Sequence, residues 1–180
     1  MRTVALHIVN TELGHFYAGI FHVLLSPDHL LPLAALGIIM GFQEKTTARH
    51  MLLTAVIAGL TGGLYGRQLD NQAWLAYINF SSFVVLGALA AYGKTIKPPI
   101  ALSLSALFAG SQSMLHMAGL PSDLSWEIFL SGVLLGLASV AAVISAIALS
   151  LPSKWIRLAL RIYGSWVAAL GLLMMSLTGK

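Results

Sequence analysis

The run His22-Val23-Leu24-Leu25-Ser26-Pro27-Asp28-His29, inside the longer stretch 14–41, decides how this chain is read. It sets two imidazoles and a carboxylate in a surround that is otherwise almost wholly apolar. Inside a bilayer such groups are costly and mark functional sites by default. Ser26-Pro27 also interrupts the apolar run. Proline cannot continue a helix from within, but it suits the first turn of the next, with Ser26 as cap. Asp28 then falls in that first turn, where the helix N-terminus favours a carboxylate. The stretch reads as a helix end, a break and a helix start, with polar groups gathered at the break.

Composition says what surrounds it. The chain has 180 residues, 58% hydrophobic and 9% charged, with a mean hydropathy of +0.86. Soluble domains carry about 25% charged residues, so there is too little polar material here to cover a globule, and lipid must be the solvent for most of the exterior. The net charge is +4 and the pI about 9.6, but the Lys and Arg sit mostly in short connections between apolar runs. That pattern fits membrane orientation rather than a nucleic-acid patch. Without cysteine, disulfide, iron–sulfur and thiolate metal sites are excluded. Any metal must be held by nitrogen, oxygen or thioether sulfur. The start of the chain lacks the long apolar core and small-residue spacing of a cleavable signal peptide.

A span needs roughly 20 apolar residues. Residues 3–25 are long enough but carry His7, Asn10, Glu12, His15 and His22, which suits an interior helix better than a lipid-facing one. Residues 28–42 are short for a full span, with Pro32 near the start. A helix–break–helix of this kind, re-entrant or tightly hairpinned, is tolerated at membrane depth only where protein or a water cavity surrounds it. Further apolar segments follow at 51–66, 73–93, 100–118, 126–151 and 155–177, separated by polar or proline-containing connections. Small residues at Gly59, Gly62, Gly63, Gly66, Gly132 and Gly136 suit close helix packing. The expectation is an all-α polytopic transmembrane helical bundle, a single domain over 1–180, with about six or seven spans and a proline-broken pair near the N-terminus.

Charge bias orients it. The connections at 43–50, 94–99 and 152–161 hold Lys45, Arg49, Lys94, Lys97, Lys154, Arg157 and Arg161, and so face the cytoplasm. The connection at 119–127 holds Asp123 and Glu127 without a basic residue, and so faces out. Trp74, Trp126 and Trp155 fall at interfaces. Counting back puts the break at 26–28 outside and the chain start inside. His22, Asp28, His29 and His116 thereby lie on one side of the membrane.

Neutral imidazole suits zinc, copper, iron and nickel, and a nitrogen and oxygen set without thiolate is compatible with nickel or cobalt. Asp28 could ligate directly or orient His29. Gln112 and His116 stand four apart, on one helix face. Met114 and Met117 fit packing better than ligation. Glu12, His15 and His22 are spaced as a polar stripe, and Glu12 with His15 fits either a structural pair or a proton relay. His7 and His50 read as interfacial or loop residues.

The stretch Phe21 to Gly37 resembles the signature of the HupE/UreJ family, whose pattern reads His-Pro-x-x-Gly-x-Asp-His-Leu-Leu-Ala-Met-x-Ala-x-Gly. His22, Asp28, His29, Leu30, Leu31, Ala35 and Gly37 fall in register without gaps. A later family pattern, His-Gly-x-Ala-His-Gly-x-Glu, meets Gln112-Ser113-Met114-Leu115-His116-Met117-Ala118-Gly119, where only the second His matches. Val23, Ser26, Gln112 and Gly119 are departures from the family residues. The resemblance implies a nickel or cobalt permease with His22, Asp28 and His29 as ligands and His116 as a further candidate.

The expected function is therefore transport of a divalent transition metal, nickel before cobalt, from an outward-facing His/Asp site. The pathway would run past Glu12, His15 and Gln112. The ion is cargo rather than a tightly bound cofactor. Expected partners are the bilayer, the ion, and a homo-oligomer or a separate energising subunit, with no nucleic acid; a bacterial cytoplasmic membrane is the expected location. The rivals are a non-transporting membrane subunit or assembly factor whose histidines brace helices, and a transporter of zinc, copper or protons. An enzyme is disfavoured, since neither a His-Glu-x-x-His helix nor a Gly-x-Ser-x-Gly elbow is present.

Overall fold

The break at Ser26 is where the chain bends. In the computed structural model, which describes residues 14–69, 73–121, 124–150 and 153–178, α1 (His15–Leu25) and α2 (Pro27–Gly41) meet there at 74°. Ser26 takes the cap position with extended backbone (φ −95°, ψ 105°). Its side chain makes no capping bond, while its carbonyl accepts from the N–H groups of His29 and Leu30 at 3.0 and 2.9 Å. Pro27 opens α2, as proline should. Pro32, by contrast, lies inside α2. It lacks the N–H that would bond the Asp28 carbonyl one turn back, so the break region carries more freed backbone than the sequence reading allowed.

Five more helices follow: α3 (Lys45–Gly66), α4 (Ala73–Tyr92), α5 (Pro98–Met117), α6 (Trp126–Ser150) and α7 (Lys154–Thr178). The architecture is all-α, with no strand among the described residues. α3 starts earlier than expected, because Lys45 to His50 form its first turns rather than a loop. α4, α6 and α7 are each long and apolar enough to cross a membrane, and α1 with α2 passes the same test as a bent pair. α3 and α5 have the length, at 22 and 20 residues. Their Ser, Thr, Gly and Gln content keeps them below the same threshold. Glu12, His7, Asn10 and Asp123 lie outside the described residues.

Glycines set the packing partners. A side chain on Gly132 of α6 would collide with the Phe16 carbonyl of α1, and one on Gly19 with the Phe129 carbonyl. Further along, Gly136 lies beside Ile20 and Val23, Gly37 beside Ala141 and Ile144, and Gly41 beside Ser145 and Ala148. These contacts advance together, so both halves of the broken pair run along α6 in the same direction. The break is a bend in one path down α6 and not the hairpin considered from sequence. Gly62 and Gly66 of α3 pack on Gly110 and Met114 of α5, and Gly87 of α4 meets Gly164 and Ala168 of α7.

The same topology sorts charge. α2, α4 and α6 finish, and α3, α5 and α7 begin, at the end that carries Lys45, Arg49, Lys94, Lys97, Lys154, Arg157 and Arg161. At the close of α4, Gly93 takes a left-handed turn (φ 68°), and Arg161 Nε donates to the Ala91 carbonyl at 2.8 Å. Arg157 also lies over the Phe42 ring, 5.2 Å from its centroid. Gln43 ties that end together, its Nε2 donating to the Ile39 carbonyl (2.9 Å) and its Oε1 accepting from the Ile96 N–H (3.0 Å). Trp74, Trp126 and Trp155 stand at or beside helix starts, Trp155 being 80% exposed.

Gly132→Ala should lower the thermal midpoint of the detergent-purified protein, because overpacking a close crossing costs about 1–3 kcal/mol. Gly136→Ala meets its nearest atom at 3.4 Å and gains about 1 kcal/mol of helix propensity, so its midpoint should hold or rise.

Candidate metal centre

The bend brings three imidazoles together. His22 ends α1, His29 lies in the first turn of α2, and His116 lies in the last turn of α5. Ring centroids are 5.3 Å apart for His22–His29, 4.8 Å for His22–His116 and 4.1 Å for His29–His116. One nitrogen from each ring can be chosen so that all three lie within 4.8 Å of one another. Nitrogens bound at about 2.0–2.1 Å around a tetrahedral ion stand roughly 3.3 Å apart. Closing this set around an ion thus asks for at most about 1.5 Å of approach between any two nitrogens.

The rings are deeply placed. His22 and His116 are 5% and 2% exposed, and the His29 side chain 11%. Phe129 of α6 covers His22, its ring centroid 5.8 Å away. A small cavity of about 10 Å3 touches His29, His116 and Gln112, with Leu33, Phe108 and Leu137 closing it on the side towards the basic end. That volume is at the lower limit for a single water. His116 Nδ1 and Ser113 Oγ are buried without a hydrogen-bond partner among the described residues. A buried polar atom left so costs about 1–3 kcal/mol. A lone pair kept available at that cost suits a ligand atom.

His29 is held from behind. Its Nδ1 donates to Gln112 Oε1 at 2.9 Å, and Gln112 Nε2 donates to Asn79 Oδ1 at 2.7 Å. The chain Asn79–Gln112–His29 links α4, α5 and α2, with both amides buried. Placing the proton on Nδ1 leaves Nε2 with its lone pair, the form that binds metal. Asn79 was missed in the sequence. Its signal was a lone carboxamide in an otherwise apolar helix, overshadowed by the histidines.

The remaining expected residues fall in different places. Asp28 stands 3.4 Å from His29 Nε2 with a side chain 52% exposed, and the potential ligand cluster among the described residues consists of the three histidines. Gln112, expected along a pathway, is hydrogen-bonded to His29 and Asn79. His15 accepts from the Ser125 N–H at 3.1 Å, tying the start of α1 to the residue before α6. Met117 is fully buried in the core, and His50 is exposed on α3.

The comparisons with known proteins address the family. The sequence model described as HupE / UreJ protein matches residues 1–174. The chain belongs to the HupE/UreJ family. No curated protein and no solved structure matches it. The match spans nearly the whole chain, so the family assignment rests on far more than the N-terminal motif.

Asn79→Leu should lower stability by about 1–3 kcal/mol, since it leaves the buried Gln112 Nε2 without an acceptor. Thermal unfolding in detergent, compared with Asn79→Asp, which keeps an acceptor at that position, checks it.

Proposed function

We propose that this HupE/UreJ protein carries a divalent transition metal ion through the membrane, nickel first and cobalt next, binding it at His22, His29 and His116. The convergence of three buried imidazoles at a helix bend carries the reading. A site inside the bilayer that collects ionisable groups from three helices, at the expense of apolar packing, is the hallmark of an ion pathway. Broken helices that meet their ligands inside the membrane are a recurring solution in transporters. The family resemblance supplies the order of ions. Chemistry alone favours no single one, because three imidazoles also suit zinc and copper.

In this reading α1 and α2 together form one crossing, and α3 to α7 each form another. The end bearing Lys45, Arg49, Lys94, Lys97, Lys154, Arg157 and Arg161 faces the cytoplasm by the positive-inside rule, and the histidines lie towards the outer side. Asp28, half exposed, attracts the hydrated ion to the mouth of the site. The ion then exchanges water for imidazole. Leu33, Phe108 and Leu137 form an apolar floor that must part for it to pass inward. The protein acts as a transporter and not as an enzyme, alone, as a homo-oligomer or with a separate energising subunit.

Calorimetric titration of the purified protein with nickel, cobalt, zinc and copper tests the site. His29→Ala and His116→Ala should each abolish measurable binding. Asn79→Ala should weaken it by about 10–100-fold, the usual effect of losing a partner that orients a ligand. Binding should also be lost in acid, because imidazole must be neutral to ligate and metal competes with protons for it. Cellular accumulation at wild-type level in His29→Ala and Asp28→Ala together would remove the assignment. A protein that binds none of the four ions but copurifies with a partner would favour the assembly-factor reading.

A further inference from the structure

At the end of the bundle away from the histidines, α2, α3 and α6 leave a groove of about 360 Å3 between them, within the size range of small-ligand sites. Its walls are of two kinds. Met40, Leu52 and Leu149 supply apolar surface, while Lys45 and Arg49 supply charge and Ser145 a hydroxyl. Lys45 and Arg49 are four residues apart and share a face of α3. Both are exposed, and among the described residues neither stands in an ion pair with a carboxylate. The adjacent carboxylate, Glu44, does not line the groove. Nearby cations are already engaged, Arg161 with the Ala91 carbonyl and Arg157 with Phe42. Ser145 is 8% exposed and lines the groove beside the two cations.

We infer that this groove binds an anionic phospholipid, its phosphate between Lys45, Arg49 and Ser145 and an acyl chain along Met40, Leu52 and Leu149. The two chemistries of the wall select the occupant. A free phosphate would use the cations and leave the apolar side wet. A zwitterionic lipid would cover the apolar side but bring its own positive charge towards the Lys45 and Arg49 heads. An anionic lipid satisfies both. Basic pockets between transmembrane helices at the membrane surface bind such head groups for this reason. The site is separate from the histidine cluster and does not depend on metal transport.

Native mass spectrometry of the full-length protein in mild detergent, titrated with phosphatidylglycerol or phosphatidylcholine, tests this. Two basic side chains correspond to about a thirtyfold preference for phosphatidylglycerol. The double variant Lys45→Gln, Arg49→Gln should bring that preference close to unity. Arg67→Gln, at the opposite end, should leave it unchanged. Both groove residues are exposed, and an unaltered thermal midpoint for the double variant shows that the loss is local. Equal binding of the two lipids, a preference that survives the double variant, or displacement of the lipid by millimolar inorganic phosphate would each overturn the proposal.

Discussion

The Phe16 carbonyl rests where a side chain on Gly132 would have to stand, and the rest of the structure follows from that approach. In lipid there is no hydrophobic gain from pressing two apolar helices together, so association depends on close van der Waals contact between small residues. Gly19 and Gly132 allow α1 to lie directly against α6. His22, one turn further along, is thereby lodged between Phe129 and His116 instead of facing lipid. If α1 stood off by the width of a side chain, its imidazole would lose the surround that makes it tolerable there.

The bend serves the same economy. A straight helix through residues 15–41 would place His22 and His29 two turns apart along one axis. Bent at Ser26, the chain lets both rings meet a third from α5, while α2 continues down α6 through Gly37 and Gly41. Polar side chains then satisfy one another across helices. His29 leans on Gln112, Gln112 on Asn79, and Ser105 donates to the Met51 carbonyl at 2.7 Å. Tyr163 of α7 likewise donates to the Leu31 carbonyl at 3.1 Å. These bonds join α2, α3, α4, α5 and α7 within a largely apolar bundle.

Much of this was legible beforehand, and the exceptions have physical causes. Proline and serine at 26–27 announced the break, because a missing N–H acts locally. Counting back from loop charge put the break at 26–28 outside and the chain start inside. In the fold α1 instead runs the same way along α6 as α2, starting beside Ser125 with the bend part-way down that path. An added half-helix upsets a count of alternating spans. The sense of the bend was not legible: a turn and a hairpin have the same breaker residues, and only the matching of Gly19, Gly37 and Gly41 to successive turns of α6 tells them apart. Asp28 looked equivalent to its neighbours as a ligand, yet residues adjacent on a helix differ by 100° and need not face the same way. Asn79 had no spacing pattern to recommend it, since its partners lie on other helices. The family signature, with Gln112 where a histidine is usual, left that position's use open. In the fold Gln112 Oε1 accepts from His29 Nδ1.

Breaking a helix also breaks its field. In a continuous helix the negative pole of each turn is cancelled by the positive pole of the next, and no net charge appears midway. At Ser26 the two halves point 74° apart, so the cancellation fails. Asp28 sits in the first turn of α2 and compensates the positive pole. The negative pole of α1 is formed by the carbonyls of a last turn that begins at His22, the basic side chain of that turn. A span that is electrically neutral along its length thus acquires, beside the three imidazoles, a fixed partial charge of the sign that draws a cation.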